Sequence, residues 1–253
     1  MKKHYKIRED LSMEYLGHTL YRIEATKNLP KHGVNKGDLG GWIEKEENLQ
    51  GNAWITSNAK VYGNATVSGD AIVCGNAVVY DDAQVYGDAC IFCHAKVFGH
   101  AEVFGNIQVH GDAQIFGSAQ VYGNAHVYGK AQVYDNADIC GNALVYDNAE
   151  VYDNAYICDN ANVCGDAKVC GEAPVFGNAT VLGDILRHEN DCKNIIGEQY
   201  AITITPNHIK IGCQHHTKKE WWNFTDREIL KMDGKEGLTW WKKWKPILQL
   251  ICK

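Results

Sequence analysis

Residues 121–140 read VYGNAHVYGKAQVYDNADIC, and the six-residue phrase in that stretch governs most of the chain. Aligned in sixes from Leu49, the register runs to Ile185 without an insertion or deletion. The slot that starts at Ala53 holds Ala in 21 of 23 positions, with Ile107 and Ile185 as exceptions. The slot two residues after it, counted from Leu49, holds 17 Val, five Ile and one Leu. A repeat of fixed period decides the architecture before any other feature does.

The chemistry of one hexad says what that architecture is. Ala-x-Val has a two-residue period, so Ala and Val leave a short extended segment on the same side. The β-branched residue favours that segment. Gly-Asn or Asp-Asn follows, which is bend chemistry tolerant of positive φ. Each hexad is therefore one short strand and one bend, and three bends close a triangular coil of 18 residues. Stacked at roughly 4.8 Å per coil, the hexads make a rod of seven to eight coils. The slot after each Val is mostly Tyr, Phe or Cys. The coil period sorts it into three ladders, which run from Tyr62 to Cys170, from Ser68 to Phe176 and from Cys74 to Leu182. Stacked rings along the rod are expected, and one ladder can instead form an exposed apolar stripe.

The Val-x-x-x-Ala-x pattern resembles that of left-handed β-helices, and the phrase GNAxVYGNA resembles the YdcK-type β-solenoids found in bacteria and often in phages and prophages. HTLYRIEA (18–25) and KGDLGGWIEKEENL (36–49) resemble that family's N-terminal cap. The resemblance, not the spacing, implies left-handedness, since the usual small residue after the aliphatic one is here aromatic or Cys. The expected fold is mainly β: a single-stranded left-handed β-helix over 49–186, an N-terminal β cap over 1–48, and a small C-terminal α+β domain over 187–253.

That C-terminal segment predicts a polar connector over 187–197, a β-hairpin over 200–213 around Pro206-Asn207-His208, and two helices. Thr225 with Glu228 is a capping box that opens a helix over about 226–232. Gly234 or Gly237 breaks it, and Leu238–Cys252 forms the second helix, with Pro246 inside as a source of a kink. Five of the seven Trp lie here: Trp221, Trp222, Trp240, Trp241 and Trp244. They predict either the core of a small domain or a recognition surface, because Trp is enriched in binding hot spots.

Charge is divided along the chain. Residues 49–186 carry a net −11, while 1–48 carry +1 and 187–253 carry +4. An acidic rod repels phosphate, so no direct nucleic-acid binding by the solenoid is expected. Asp in the bends is a turn residue first. Asp135, Asp147, Asp153 and Asp159 are also candidates for a negative face that docks on a basic protein surface. No apolar run is long enough for a transmembrane helix and the N-terminus has no signal-peptide core, so a cytoplasmic protein with reduced thiols is expected. That expectation includes Cys140 and Cys158, one coil apart.

No catalytic constellation stands out, and no cofactor or metal is expected. Cys90-x-x-Cys93-His94 lacks the second ligand pair of a structural zinc site, and His208, Cys213, His215 and His216 read as hairpin-end chemistry. The favoured reading is a non-enzymatic interaction protein. The resemblance to phage proteins implies counter-defence, in which the chain binds and blocks a host protein or nucleoprotein complex. Two alternatives stay open: a ligand- or nucleotide-binding sponge or sensor, and a hexapeptide acyltransferase, whose usual extruded loop is missing. A homo-oligomer, dimer or trimer, is a further expectation.

Overall fold

A computed structural model describes residues 3–195 and 199–252. It is a parallel β-solenoid with a β cap at one end and an α+β unit at the other. Three sheets hold nine, eight and seven parallel strands, which is eight coils of three. Successive strands of a sheet lie 18 residues apart, as in Gln108 beside His126 and Gln114 beside Gln132. Every Ala-slot residue from Ala53 to Ala179 and every Val-slot residue from Leu49 to Val181 is buried, nearly all at zero exposure. The interior is one continuous column of Ala, Val and Ile.

The stack begins earlier than the alanine pattern does. Trp42 and Ile43, in strand Leu39–Ile43, pair in parallel with Lys60 and Val61. Gly41 stands in the inward slot there, where an added Cβ would lie 2.4 Å from Ile55 and 2.8 Å from the Ala59 carbonyl oxygen. The same strand pairs antiparallel with His18–Ala25, which pairs with Tyr5–Tyr15. The cap is thus an extension of one solenoid sheet. Its His4 ring nitrogen lies 2.8 Å from the Ala53 carbonyl oxygen, and the Tyr5 hydroxyl donates to the carbonyls of Glu46 and Leu49, which covers backbone groups that the first coil leaves open.

At the other end the six-residue register slips. Lys168 pairs with Ile185 and Val169 with Leu186, a separation of 17 rather than 18. Ile185, expected inward, is 41% exposed, and Asp184 takes the inward position with no exposure. Then Lys193–Ile195, Ile202–Ile204, His208–Ile211 and Gln214–Thr217 form a four-stranded antiparallel sheet. The expected hairpin is there, flanked by two strands that the pattern did not show. One of them falls inside the segment read as a polar connector, whose last two residues, 196 and 197, lie outside the described residues.

Helix α1, Lys218–Asn223, was not expected; Thr217 and Glu220 cap it reciprocally. Helix α2, Asp226–Ile251, starts from the Thr225–Glu228 capping box and is interrupted at Asp233 (φ −152°) and Gly234 (φ +68°), the break that the glycine predicts. Backbone angles stay helical at Pro246.

The bends show why Asp alternates with Gly. Both take positive φ, at +81° for Gly123 and +58° for Asp153. The Asp carboxylate then accepts the backbone N–H of the glycine one coil on: Gly165 to Asp147 at 3.2 Å, Gly171 to Asp153 at 2.9 Å, Gly177 to Asp159 at 2.9 Å. Gly123→Ala is therefore expected to cost about 1–2 kcal/mol for the left-handed backbone. Its Cβ would also crowd the Gly141 carbonyl oxygen, at 2.9 Å. Gly123→Asp is expected to recover at least half of that loss through the new hydrogen bond. Urea unfolding of the two variants checks the order.

Candidate functional site

Along each strand the inward Ala and Val alternate with two outward residues. These are the one between them and the one after Val. The two rows touch diagonally across coils. The Tyr156 hydroxyl lies 3.2 Å from Cys140 Sγ, Glu150 raises the Tyr134 hydroxyl after burial does, and His126 lowers His110 after burial does.

The expected ring ladders form. Tyr62, Tyr80, Phe98, Phe116, Tyr134 and Tyr152 stack at 4.8 to 5.3 Å between centroids. Phe92, His110, Tyr128 and Tyr146 stack at 4.6 to 5.1 Å. Tyr86, Phe104 and Tyr122 stack at 4.8 and 5.1 Å. Apart from Tyr62, which is buried under the cap, the rings are half-buried, so each ladder is both a brace and a part of the outer surface.

Charge separates the three outer faces. The nine-stranded face carries Lys60, Lys96, Glu150 and Lys168 in its outward rows, and the seven-stranded face carries Glu102 and Asp138. The eight-stranded face carries none from Trp54 to Leu182. Its outward rows are Ile72, Cys90, Gln108, His126, Leu144 and Asn162 beside Cys74, Phe92, His110, Tyr128, Tyr146 and Cys164. One bordering bend is a ladder of asparagine amides, with Asn124 donating to Asn142 at 3.2 Å and Asn142 to Asn160 at 3.1 Å.

The four candidate bend aspartates do not make one face. Only Asp135 and Asp153 are 18 residues apart, and they line a shallow groove with Glu172 and Asn154. Asp147 and Asp159 stand on the other two corners, and Asp147, Asp153 and Asp159 each spend a carboxylate oxygen on a neighbouring coil. All four sit at exposed positions with positive φ, so the bend role is the one the geometry shows.

The tryptophans are core. Trp221, Trp240, Trp241 and Trp244 are at most 8% exposed and pack on Ile202, Ile204, Ile209 and Ile211. Trp221 donates its indole N–H to the Ile209 carbonyl at 2.7 Å. Four of the five cannot form an open recognition surface, because they hold α1 and α2 on the sheet; Trp222, half-buried, remains at the rim. Trp221→Ala is expected to unfold this unit, at about 3–5 kcal/mol for a buried Trp.

The histidines nearby are also taken up by packing. His208 stacks on His215 at 5.0 Å, and His216 sits edge-on to Trp221 and Phe224. Among the described residues no three His, Cys, Asp or Glu are placed to hold a metal ion. Cys93 occupies a bend at φ +60°, away from a joint site with Cys90. Cys90 instead meets Cys74, whose thiol holds it down at about 7. Cys140 and Cys158 are joined in a disulfide rather than left reduced; stacking places their Cα atoms 4.6 Å apart, inside the range a disulfide spans.

A family model described as the YdcK Beta solenoid repeat matches residues 59–75 and 119–135. Each match covers about one coil of the stack, and with the eight-coil geometry it makes this chain a β-solenoid repeat protein. No curated protein matches it.

Proposed function

We propose that the chain is a non-enzymatic interaction protein, a rigid rod that docks on another protein through its eight-stranded face. The observation that carries this reading is the separation of charge. A solenoid with net −11 keeps every formal charge off one face and fills that face with rings, Leu, Ile and neutral polar groups. Interface centres are depleted in charge and enriched in aromatic residues, and polar rims surround them. Over the six coils from Ile72 to Cys164 the face is about 25 Å long at the usual strand spacing, which suits a protein partner better than a small substrate.

In its finer form the proposal is a phage- or prophage-type protein acting in the host cytoplasm, where it occupies a host protein or nucleoprotein complex and blocks it. Two features support this: the acidic corners, which complement a basic nucleic-acid-binding surface, and the likeness of GNAxVYGNA to phage-borne solenoids. No helix among the described residues is long and apolar enough to cross a membrane. A second copy of the chain is the other occupant that an uncharged face admits, since two acidic rods can meet there without setting like charges together.

The test is a pair of variants with the rod intact. Tyr128→Glu with Leu144→Glu puts charge on the face, and Asp135→Lys with Asp153→Lys reverses one corner. Affinity capture from host lysate is expected to lose a stoichiometric partner, at least tenfold, in the first pair. Loss in the second pair alone would move the site to the acidic corner. Sedimentation of the purified chain separates a self-associating rod from a monomer that needs a partner.

A further inference from the structure

The C-terminal unit contains a cleft at the edge of its core. Tyr200, Trp221, Met232, Asp233, Trp240 and Trp241 line a space of about 100 Å³, room for several waters or one small organic head group. The break in α2 builds it. With Asp233 at φ −152° and Gly234 at +68°, the chain turns away from the helical path and carries the Asp233 carboxylate to the cleft. Gly237 permits this, because a Cβ there would come within 2.8 Å of Asp233 Cβ. The Tyr200 hydroxyl donates to Asp233, and the Tyr200 ring stands edge-on to Trp240 at 4.9 Å and 89°.

Two features single this cleft out. Among the described residues that line it, Asp233 is the one that is formally charged. That carboxylate, by accepting from it, also pushes the Tyr200 hydroxyl up to about 12. The rest of the lining is aromatic or apolar, apart from Cys213 and Gln214. Aromatic faces are negative and attract cations, most strongly where water is excluded. The unit already uses that attraction: the Lys245 ammonium lies 5.6 Å from the centroid of Trp241.

We infer that this cleft binds a small organic cation of the quaternary or methylated ammonium class, with Tyr200, Trp240 and Trp241 supplying the aromatic walls and Asp233 the counter-charge. A primary ammonium would keep more of its water and bind less well. An anion would meet Asp233 and be repelled. The cleft acts independently of whatever the rod docks on.

The experiment is a titration of the full chain with choline and with 3,3-dimethylbutan-1-ol, its uncharged isostere, read by tryptophan fluorescence and by calorimetry. Saturable choline binding at least tenfold tighter than the isostere is expected. Asp233→Asn is expected to reduce that preference at least fivefold at an unchanged thermal midpoint. Gly237→Leu, which fills the space, is expected to abolish both signals. Equal affinity for the two ligands, or no saturable binding of choline to the unaltered chain, would overturn the assignment. The comparison between ligands needs no variant, so a misfolded mutant cannot obscure it.

Discussion

Asp184→Ala is expected to release the C-terminal unit from the rod while leaving the rod folded. The carboxylate is fully buried where the register slips. It accepts from the Thr205 hydroxyl, from the Asn207 backbone N–H at 3.2 Å and side-chain amide at 2.9 Å, and it meets His208 Nδ1 at 2.7 Å. One side chain from the last coil thus holds the whole turn of the terminal sheet. Removing it leaves the buried Thr205 hydroxyl and the part-buried donors of Asn207 without their acceptor, which costs about 1–3 kcal/mol for each buried group left unpaired. The other hydrogen bonds among the described residues are few: Thr180 N–H to Thr203 at 3.3 Å, Lys210 Nζ to the Thr180 hydroxyl at 2.7 Å, and the Asn194 side-chain amide to the Phe176 carbonyl at 3.4 Å. Calorimetry of the variant should show two separate transitions, and limited proteolysis should cut between Leu186 and Lys193. A single transition lowered by under about 1 kcal/mol, a change typical of surface sites, would show that the junction is held elsewhere.

Asp184 also shows where reading the sequence stops. Gly183-Asp184-Ile185 fits the hexad as well as any other Gly-Asp-aliphatic triplet, and the polar side chain turns inward only because Thr205, Asn207 and His208 satisfy it there. Those partners are 21 to 24 residues downstream, beyond any local pattern. The rod itself was legible, since Ala and Val in fixed slots leave one way to bury both. Its first strand was missed because Gly41 stands where the alanine belongs.

The candidate surfaces were legible by arithmetic rather than by composition. Counting Asp by proximity groups 135, 147, 153 and 159, whereas counting by the 18-residue coil separates them onto three corners. The same count, applied to the outward slot between Ala and Val, isolates the uncharged face. The tryptophans were ambiguous in principle, because a small domain and a binding surface both enrich them, and only the isoleucines of the terminal sheet decide it. Helix α1 did carry a signal, since Thr217 and Glu220 have the spacing of a capping box.

Ile107→Ala is expected to cost about 2–4 kcal/mol, below the upper end of the range for such truncations. Ile107 is fully buried in a slot that otherwise holds Ala, with Ala89 and Ala125 one coil away on either side. The strand before it is longer than most. The strand Glu102–Gly105 runs on through the bend and pairs with Gln84–Gly87, whereas most strands stop two residues in. Truncation at this fully buried site leaves a void that the surrounding coils close only in part. Ala125→Ile in the unaltered chain overpacks the neighbouring coil and is expected to cost about 1–3 kcal/mol. Combined, the two changes test whether adjacent coils share one space. A double variant more stable than the sum of the single losses by about 1 kcal/mol, within the range for contacting residues, would mean that the side chain introduced by Ala125→Ile fills the void left by Ile107→Ala. Simple additivity would mean that each coil packs by itself and that the stack is joined mainly by its backbone ladder. Chemical denaturation of the four proteins at one temperature decides between them.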